Sequence, residues 1–149
     1  MKRARGFSLL EMLVVLLIVG LFSAMSVAWL DSGQAPIQQA LQQLAAEARI
    51  QAAQARHSGQ VLGLRWNGKQ PEFVRLQPGA DNPRWRVQAT QLRPWPAQLS
   101  ADWAVSAEPQ VLFTPNGVAG SAAVTWHWPE GQQRWEWRTD NSLTQVNLP

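Results

Sequence analysis

Hydrophobic residues are concentrated at the start of the chain. From residue 7 to residue 30 every position is apolar or small except one carboxylate, Glu11. A helix over this stretch is roughly 36 Å long, which exceeds the hydrocarbon core of a bilayer, about 30 Å. The pattern therefore predicts a membrane-spanning helix over residues 7–30, preceded by a short basic segment at residues 1–6.

A second helical pattern follows the apolar stretch. Residues 31–36 contain Gly33 and Pro36 and predict a bend, with Pro36 suited to a first helical turn. Beyond it, apolar residues recur at steps of three and four, at Ile37, Leu41, Leu44, Ala45, Ala48 and Ala52. This spacing predicts an amphipathic helix within residues 31–58, ending at Ser58 and Gly59, with its apolar face on a sheet.

From residue 59 the pattern changes to short strands separated by Gly, Pro, Asn and Asp. Strands are predicted at 60–66, 72–76, 84–89, 99–106, 111–113, 121–128, 133–138 and 143–148. Turns are predicted at 67–68, 78–79, 115–117 and 129–131. The predicted fold class is therefore α+β: a long N-terminal helix, half transmembrane and half amphipathic, packed on an antiparallel domain of about eight short strands at 59–149.

The clearest hairpin is rich in tryptophan. Alternation places three side chains of its first strand on one face, Val124, Trp126 and Trp128, and two of its second strand, Trp135 and Trp137. Paired across the turn, they predict a tryptophan ladder, with Thr125, His127, Arg134, Glu136 and Arg138 facing water. Core packing is the favoured interpretation of the tryptophans, and a ligand platform is the alternative.

Charge argues against a nucleic-acid partner. The chain has 13 Lys and Arg, 10 Asp and Glu, and a formal charge of +3. Three of those cations, Lys2, Arg3 and Arg5, precede the apolar stretch, so the rest of the chain is close to neutral. A near-neutral domain lacks the basic stripe of a protein that binds phosphate backbones. The three leading cations instead orient the N-terminus towards the cytoplasm, with the C-terminal domain on the other side of the membrane.

No residue pattern indicates catalysis or metal binding. His57 and His127 have no companion at a metal-ligand spacing, and both are predicted to lie on the surface. Paired catalytic carboxylates, phosphate-binding loops and dinucleotide fingerprints are absent from the sequence. We therefore expect no enzymatic activity, cofactor, metal or small-molecule substrate.

Three interpretations compete for residues 7–30. The segment is a signal peptide cut after the small-residue pattern at 26–28, a plain membrane anchor, or a helix retained after a cut between Gly6 and Phe7. Glu11 favours the third, because a carboxylate within a span costs about 2.5–3.5 kcal/mol at the centre and less near an interface, and it needs a partner. The cut exposes the α-amino group of Phe7, which neutralises Glu11 of a neighbouring subunit. Such a head-to-tail contact propagates into a filament.

Residues 2–11 resemble the signature of type IV prepilins and pseudopilins, with a basic leader, Gly6, Phe7 and Glu11 at the family's spacing. The resemblance implies cleavage between Gly6 and Phe7 by a prepilin peptidase, which also N-methylates Phe7. It further implies a pilin-like fold, a single-pass inner-membrane protein before assembly, and subunit contacts through Phe7 and Glu11.

A second segment narrows the resemblance. Residues 113–117, with Phe113, Pro115 and Gly117, resemble the Phe-x-Pro-x-Gly turn of the H-type minor pseudopilin of type II secretion and of FimT-type minor pilins. The H-type resemblance implies a subunit near the tip of a periplasmic pseudopilus that drives protein export across the outer membrane. Its partners are then the other minor pseudopilins and the major pseudopilin. The major class usually has a calcium loop near its C-terminus, whereas residues 139–142 offer one acid.

Two alternatives remain. A FimT-like minor pilin of a type IV pilus, with a role in DNA uptake, requires cations on an exposed end, and residues 141–149 contain none. A periplasmic β-rich module, released by signal peptidase with its tryptophans as a ligand platform, predicts a mature protein that begins near Trp29. The filament interpretations predict one that begins at Phe7.

Overall fold

The computed structural model describes residue 6 and residues 8–30, 34–79 and 81–149. The chain divides into two compact units, Met1–Ala35 and Pro36–Pro149. Residues 1–5 of the predicted leader, the cleavage-site residue Phe7 and residues 31–33 of the predicted bend lie outside the described residues, while residues 34–36 belong to the next helix.

The first unit contains helix α1, Leu9–Leu30. It begins at Ser8, whose hydroxyl accepts a hydrogen bond from the Glu11 N–H at 3.2 Å, while the Ser8 carbonyl accepts one from Met12. Side chains between residues 9 and 25 are exposed on every side of the helix. Among the described residues, no helix has the length and hydropathy needed to span a membrane.

Helix α2, Gln34–Ser58, carries the predicted apolar face. Its end is capped by Gly59, which adopts a φ of 68° and donates its N–H to the Ala55 carbonyl at 3.1 Å. All six predicted face residues are buried, as is Ala55 one turn further on. The predicted amphipathic helix is therefore confirmed, with the face that the three- and four-residue spacing indicated.

The described residues form nine strands: β1 (Leu62–Trp66), β2 (Pro71–Gln77), β3 (Arg84–Val87), β4 (Ser100–Ala101), β5 (Val111–Thr114), β6 (Gly117–Val118), β7 (Ala122–Trp128), β8 (Gly131–Trp137) and β9 (Leu143–Leu148). They build two antiparallel sheets, one in the order β3-β2-β1-β5-β6 and the other in the order β4-β7-β8-β9. Seven of the eight predicted strands are present with nearly the predicted bounds.

The predicted strand at 99–106 is wrong. Only Ser100 and Ala101 pair with β7, because Asp102 then turns the chain away. The Asp102 N–H donates to the Thr125 carbonyl at 3.1 Å, and its side chain accepts the Thr125 N–H at 2.9 Å. The short strand β6 was not predicted.

One hydrophobic core joins α2 to both sheets. Leu44 of α2 is fully buried in the same cluster as the inward side chains of the two sheets, which include Leu62, Leu64, Phe73, Val111, Phe113, Val124, Trp126, Trp135 and Trp137. The second unit thus has its own core.

Candidate functional site

The predicted cleavage site is open where the structure describes it. Gly6 is exposed, and a Cβ added there meets nothing within 4 Å. Among the described residues, no contact requires glycine at this position. A requirement for Gly6 must come from a second molecule that binds the segment, such as a peptidase.

Glu11 is exposed in the first turn of α1. Ser8 and Glu11 have the Ser-x-x-Glu spacing of a capping box, of which the structure shows the bond from the Glu11 N–H to the Ser8 hydroxyl. Negative charge at a helix N-terminus is also favourable, by about 0.3–1 kcal/mol. Sequence reasoning missed this intramolecular role, which a simple anchor could also use.

The Glu11 carboxylate itself has no hydrogen bond or ion pair within the described part of the chain. The capping interaction engages its backbone, so the charged end of the side chain is available to another molecule. This is the property that the proposed contact with a neighbouring subunit needs.

Residues 113–117, called the family turn below, join β5 to β6. Thr114 pairs with Gly117, so Pro115 and Asn116 form a two-residue loop. The Thr114 hydroxyl donates to the Gly117 carbonyl at 2.7 Å and accepts the Asn116 N–H at 3.3 Å. Phe113 anchors the turn in the core with 1% of its surface exposed, while Pro115 faces solvent. The predicted tight reversal is confirmed.

Gly117 has a second constraint that the sequence does not reveal. Its φ is 122°, and a Cβ there would collide with the carbonyl oxygen of Thr139. Thr139 lies in the turn between β8 and β9, where the Ser142 side chain and N–H hydrogen-bond Asp140 and lower the pKa of its carboxyl. The family turn is therefore packed against a second turn, and glycine is required for that contact.

The tryptophans form part of the core. Trp126, Trp135 and Trp137 are each at most 2% exposed, and neighbouring ring centroids lie 5.5 and 5.7 Å apart in edge-to-face geometry. Trp135 pairs across the hairpin with Val124 and not with a tryptophan, so the rings meet diagonally. Because these rings are buried, the alternative of a ligand platform is wrong for them.

The outer face of this hairpin departs from the prediction at one position. Arg134 and Glu136 are exposed and form an ion pair at 2.9 Å, as their charges predicted. Thr125 was expected to face water but is 7% exposed, beside the Asp102 segment that bonds both its main-chain groups.

Metal-binding and histidine chemistry find no support in the described residues. No group of three or more His, Cys, Asp or Glu side chains converges there. His57 and His127 are both exposed, as predicted.

Comparison with known proteins agrees with the N-terminal motif and with the fold. Residues 1–27 match the family described as the prokaryotic N-terminal methylation motif. The fold is similar to that of the minor pseudopilin EpsH from the type 2 secretion system of Vibrio cholerae, with a TM-score of 0.55 and 19% identity over 71% of this chain and 92% of that one. No curated protein matches the chain. The prepilin signature and the pilin-like fold predicted from the sequence are thereby confirmed.

Proposed function

We propose that the chain is an H-type minor pseudopilin of a type II secretion system, built into a periplasmic pseudopilus near its tip. The observation that carries this proposal is the presence, in one chain, of an N-terminal methylation motif and a fold like that of EpsH. The role is structural and not catalytic. Its partners are the other minor pseudopilins and the major pseudopilin, which together drive export across the outer membrane.

Processing prepares the N-terminus for assembly. A prepilin peptidase cuts between Gly6 and Phe7 and methylates Phe7, while the chain is held in the inner membrane with its N-terminus cytoplasmic and Pro36–Pro149 periplasmic. The exposure of Gly6 supports this step, since a Cβ added there meets no described atom within 4 Å.

Glu11 then joins the subunit to a neighbour. Its carboxylate is exposed, and the new amino group of a neighbouring Phe7 supplies the opposite charge. Two unit charges about 4 Å apart attract by about 4 kcal/mol at an effective dielectric constant near 20, before desolvation is subtracted.

The charge pairing is tested by Glu11→Gln. This change keeps the hydrogen bond from the backbone N–H of residue 11 to the Ser8 hydroxyl and removes only the charge of the side chain. We expect normal cleavage and a recovery with partner pseudopilins that falls about tenfold, which corresponds to about 1.4 kcal/mol. Glu130→Gln, at an exposed turn position, is the matched control. Equal recovery of both variants would contradict the pairing.

Cleavage is tested separately by Gly6→Val. The described residues leave room for the added Cβ, so a block in processing is expected to report on the peptidase. Gly20→Ala, which also meets nothing within 4 Å, is the control and should be processed normally. Normal shortening of the Gly6→Val protein would rule out recognition of this glycine.

A FimT-like minor pilin that binds DNA is the second candidate function. The observation that favours it is a group of arginines on β2 and β3: Arg86 pairs in register with Arg75, with Arg84 two residues away. None of the three has an ion pair among the described residues, and like charges directly opposite are unfavourable without an anion. The cations that this function needs are therefore grouped, although on β2 and β3 and not in the tail.

Duplex DNA binding at several salt concentrations separates the two functions. If phosphates bind here, changing Arg84 and Arg86 together to Gln lowers affinity and reduces the salt dependence by about two phosphate contacts. Arg134→Gln, an arginine already paired with Glu136, is the control. The absence of measurable binding by the unchanged protein removes this candidate.

A further inference from the structure

The four edge strands of the two sheets differ in their protection against pairing. Strands β4 and β6 have two residues each, and β3 follows Pro83 and carries two exposed arginines. Short strands, proline and charge all oppose edge-to-edge association. Strand β9, Leu143–Leu148, has six residues, no charge and no proline within it, and four of its residues are exposed. It is the edge that none of these features protects.

The main-chain groups on the free side of β9 follow from the ladder. The Arg138 N–H donates to the Ser142 carbonyl at 3.0 Å, which makes that pair a hydrogen-bonded one. Hydrogen-bonded pairs alternate along an antiparallel ladder, so Thr144, Val146 and Leu148 bond to β8. The residues between them, Leu143, Gln145 and Asn147, direct their N–H and C=O groups outward. Within the described chain these groups have no main-chain partner.

We propose that this edge binds β9 of a second copy of this chain, antiparallel, about a two-fold axis at Gln145. In this register Gln145 of one copy faces Gln145 of the second copy, and Leu143 faces Asn147 of the second copy. All six outward main-chain groups of each copy then find a partner. No other centre on the strand pairs all of them.

The side chains agree with self-pairing. Thr144 faces Val146 of the second copy at a non-hydrogen-bonded position, where side chains are closest and β-branched residues pack well. Two copies of the uncharged strand β9 have no charge repulsion between them. The same pairing of two β3 strands would bring Arg84 and Arg86 of one copy close to the same arginines of the other. This association is independent of the filament contact through Glu11.

Disulfide cross-linking tests the register, since the chain contains no cysteine. Full-length chains with Thr144→Cys and Val146→Cys, differently tagged, are co-expressed in membranes and oxidised. Their Cα atoms lie about 4.5 Å apart in this register, within disulfide range, whereas either residue is about 7–8 Å from its own copy. We expect at least fivefold more reducible dimer in the mixture than with either variant alone.

Equal cross-linking in all three samples, no cross-linking, or capture of only a different protein would overturn the proposal. Glu11→Gln in the same background should leave the disulfide dimer unchanged. Failure of the filament contact is thereby distinguished from failure of this one.

A charge exchange at the axis is the second test. Gln145→Lys alone and Gln145→Glu alone each place like charges opposite each other and should lower the dimer fraction about two- to fivefold. The mixture of the two variants should restore it. Ala123→Lys, an exposed position on the inner strand β7, is the control and should have no effect. If the dimer fraction does not recover in the mixture, the proposed two-fold axis at Gln145 is wrong.

Discussion

Replacing the buried Gly117 with alanine should destabilise the second unit more than replacing Gly120, an exposed glycine that also has a positive φ. The residue has a φ of 122°, a region used almost only by glycine, which costs other residues about 1–3 kcal/mol. The new Cβ would also collide with the Thr139 carbonyl, a main-chain atom that can move only if the turn between β8 and β9 moves.

The expected total is about 3–5 kcal/mol, a large value for a single substitution. For a domain of about a hundred residues this lowers the melting temperature by about 12–20 °C. Trp126, Trp135 and Trp137 are buried in the same unit, so their fluorescence during thermal unfolding of the purified protein in detergent reports the loss.

Gly120→Ala separates strain from collision. Gly120 has a φ of 76°, but a Cβ there meets nothing within 4 Å. Its substitution should cost only the left-handed backbone penalty, about 1–2 kcal/mol. If Gly117→Ala is no more destabilising than Gly120→Ala, the packing of the family turn on the Thr139 turn does not contribute to stability.

Two further predictions compare the free energy of unfolding of matched variants, measured by chemical denaturation. Trp135→Phe should lower it by about 1 kcal/mol more than Trp126→Phe does, because the Trp135 N–H donates a hydrogen bond at 2.6 Å whereas the buried Trp126 N–H has no partner in the described chain. Equal losses in the two variants would contradict this. Arg65→Ala should cost about 1–2 kcal/mol, because Arg65 pairs with Glu72 at 3.0 Å where both side chains are under 20% exposed, and Arg134→Ala should cost under about 0.5; a reversed order would refute the reasoning.

Local patterns predicted the helices and most strands well. The buried face of α2 follows from apolar side chains at three- and four-residue steps, and β9 has the predicted bounds, 143–148. In both cases the information lies within one element. The prediction of a strand at 99–106 is wrong because contacts with the distant strand β7 determine the path of this segment. The Asp102 side chain accepts the Thr125 N–H, and the Trp103 side-chain N–H donates to the Ala123 carbonyl at 2.8 Å.

Hairpin register and contacts between distant segments explain the other differences. The predicted turn at 129–131 is a two-residue loop that pairs Trp128 with Gly131, and this register sets the tryptophans diagonally instead of opposite one another. The collision that fixes Gly117 joins two turns of different sheets. Neither fact is encoded in a local pattern.

The candidate assembly site was predictable to a different extent. Gly6, Phe7 and Glu11 are predicted from their spacing, because the basic leader and the lone carboxylate stand out in an apolar context, and their roles stay predictions. The capping bond between Ser8 and the Glu11 N–H has an equally local signal, Ser-x-x-Glu, which the argument for an intermolecular partner had obscured.

The mass of the mature protein tests the central claim most directly. Intact-mass and N-terminal peptide analysis of the chain purified from its native membranes should give a protein that begins at Phe7 and carries one methyl group on that residue's amine. A mature chain that begins near Trp29, or an uncut chain that still begins at Met1, would contradict the account.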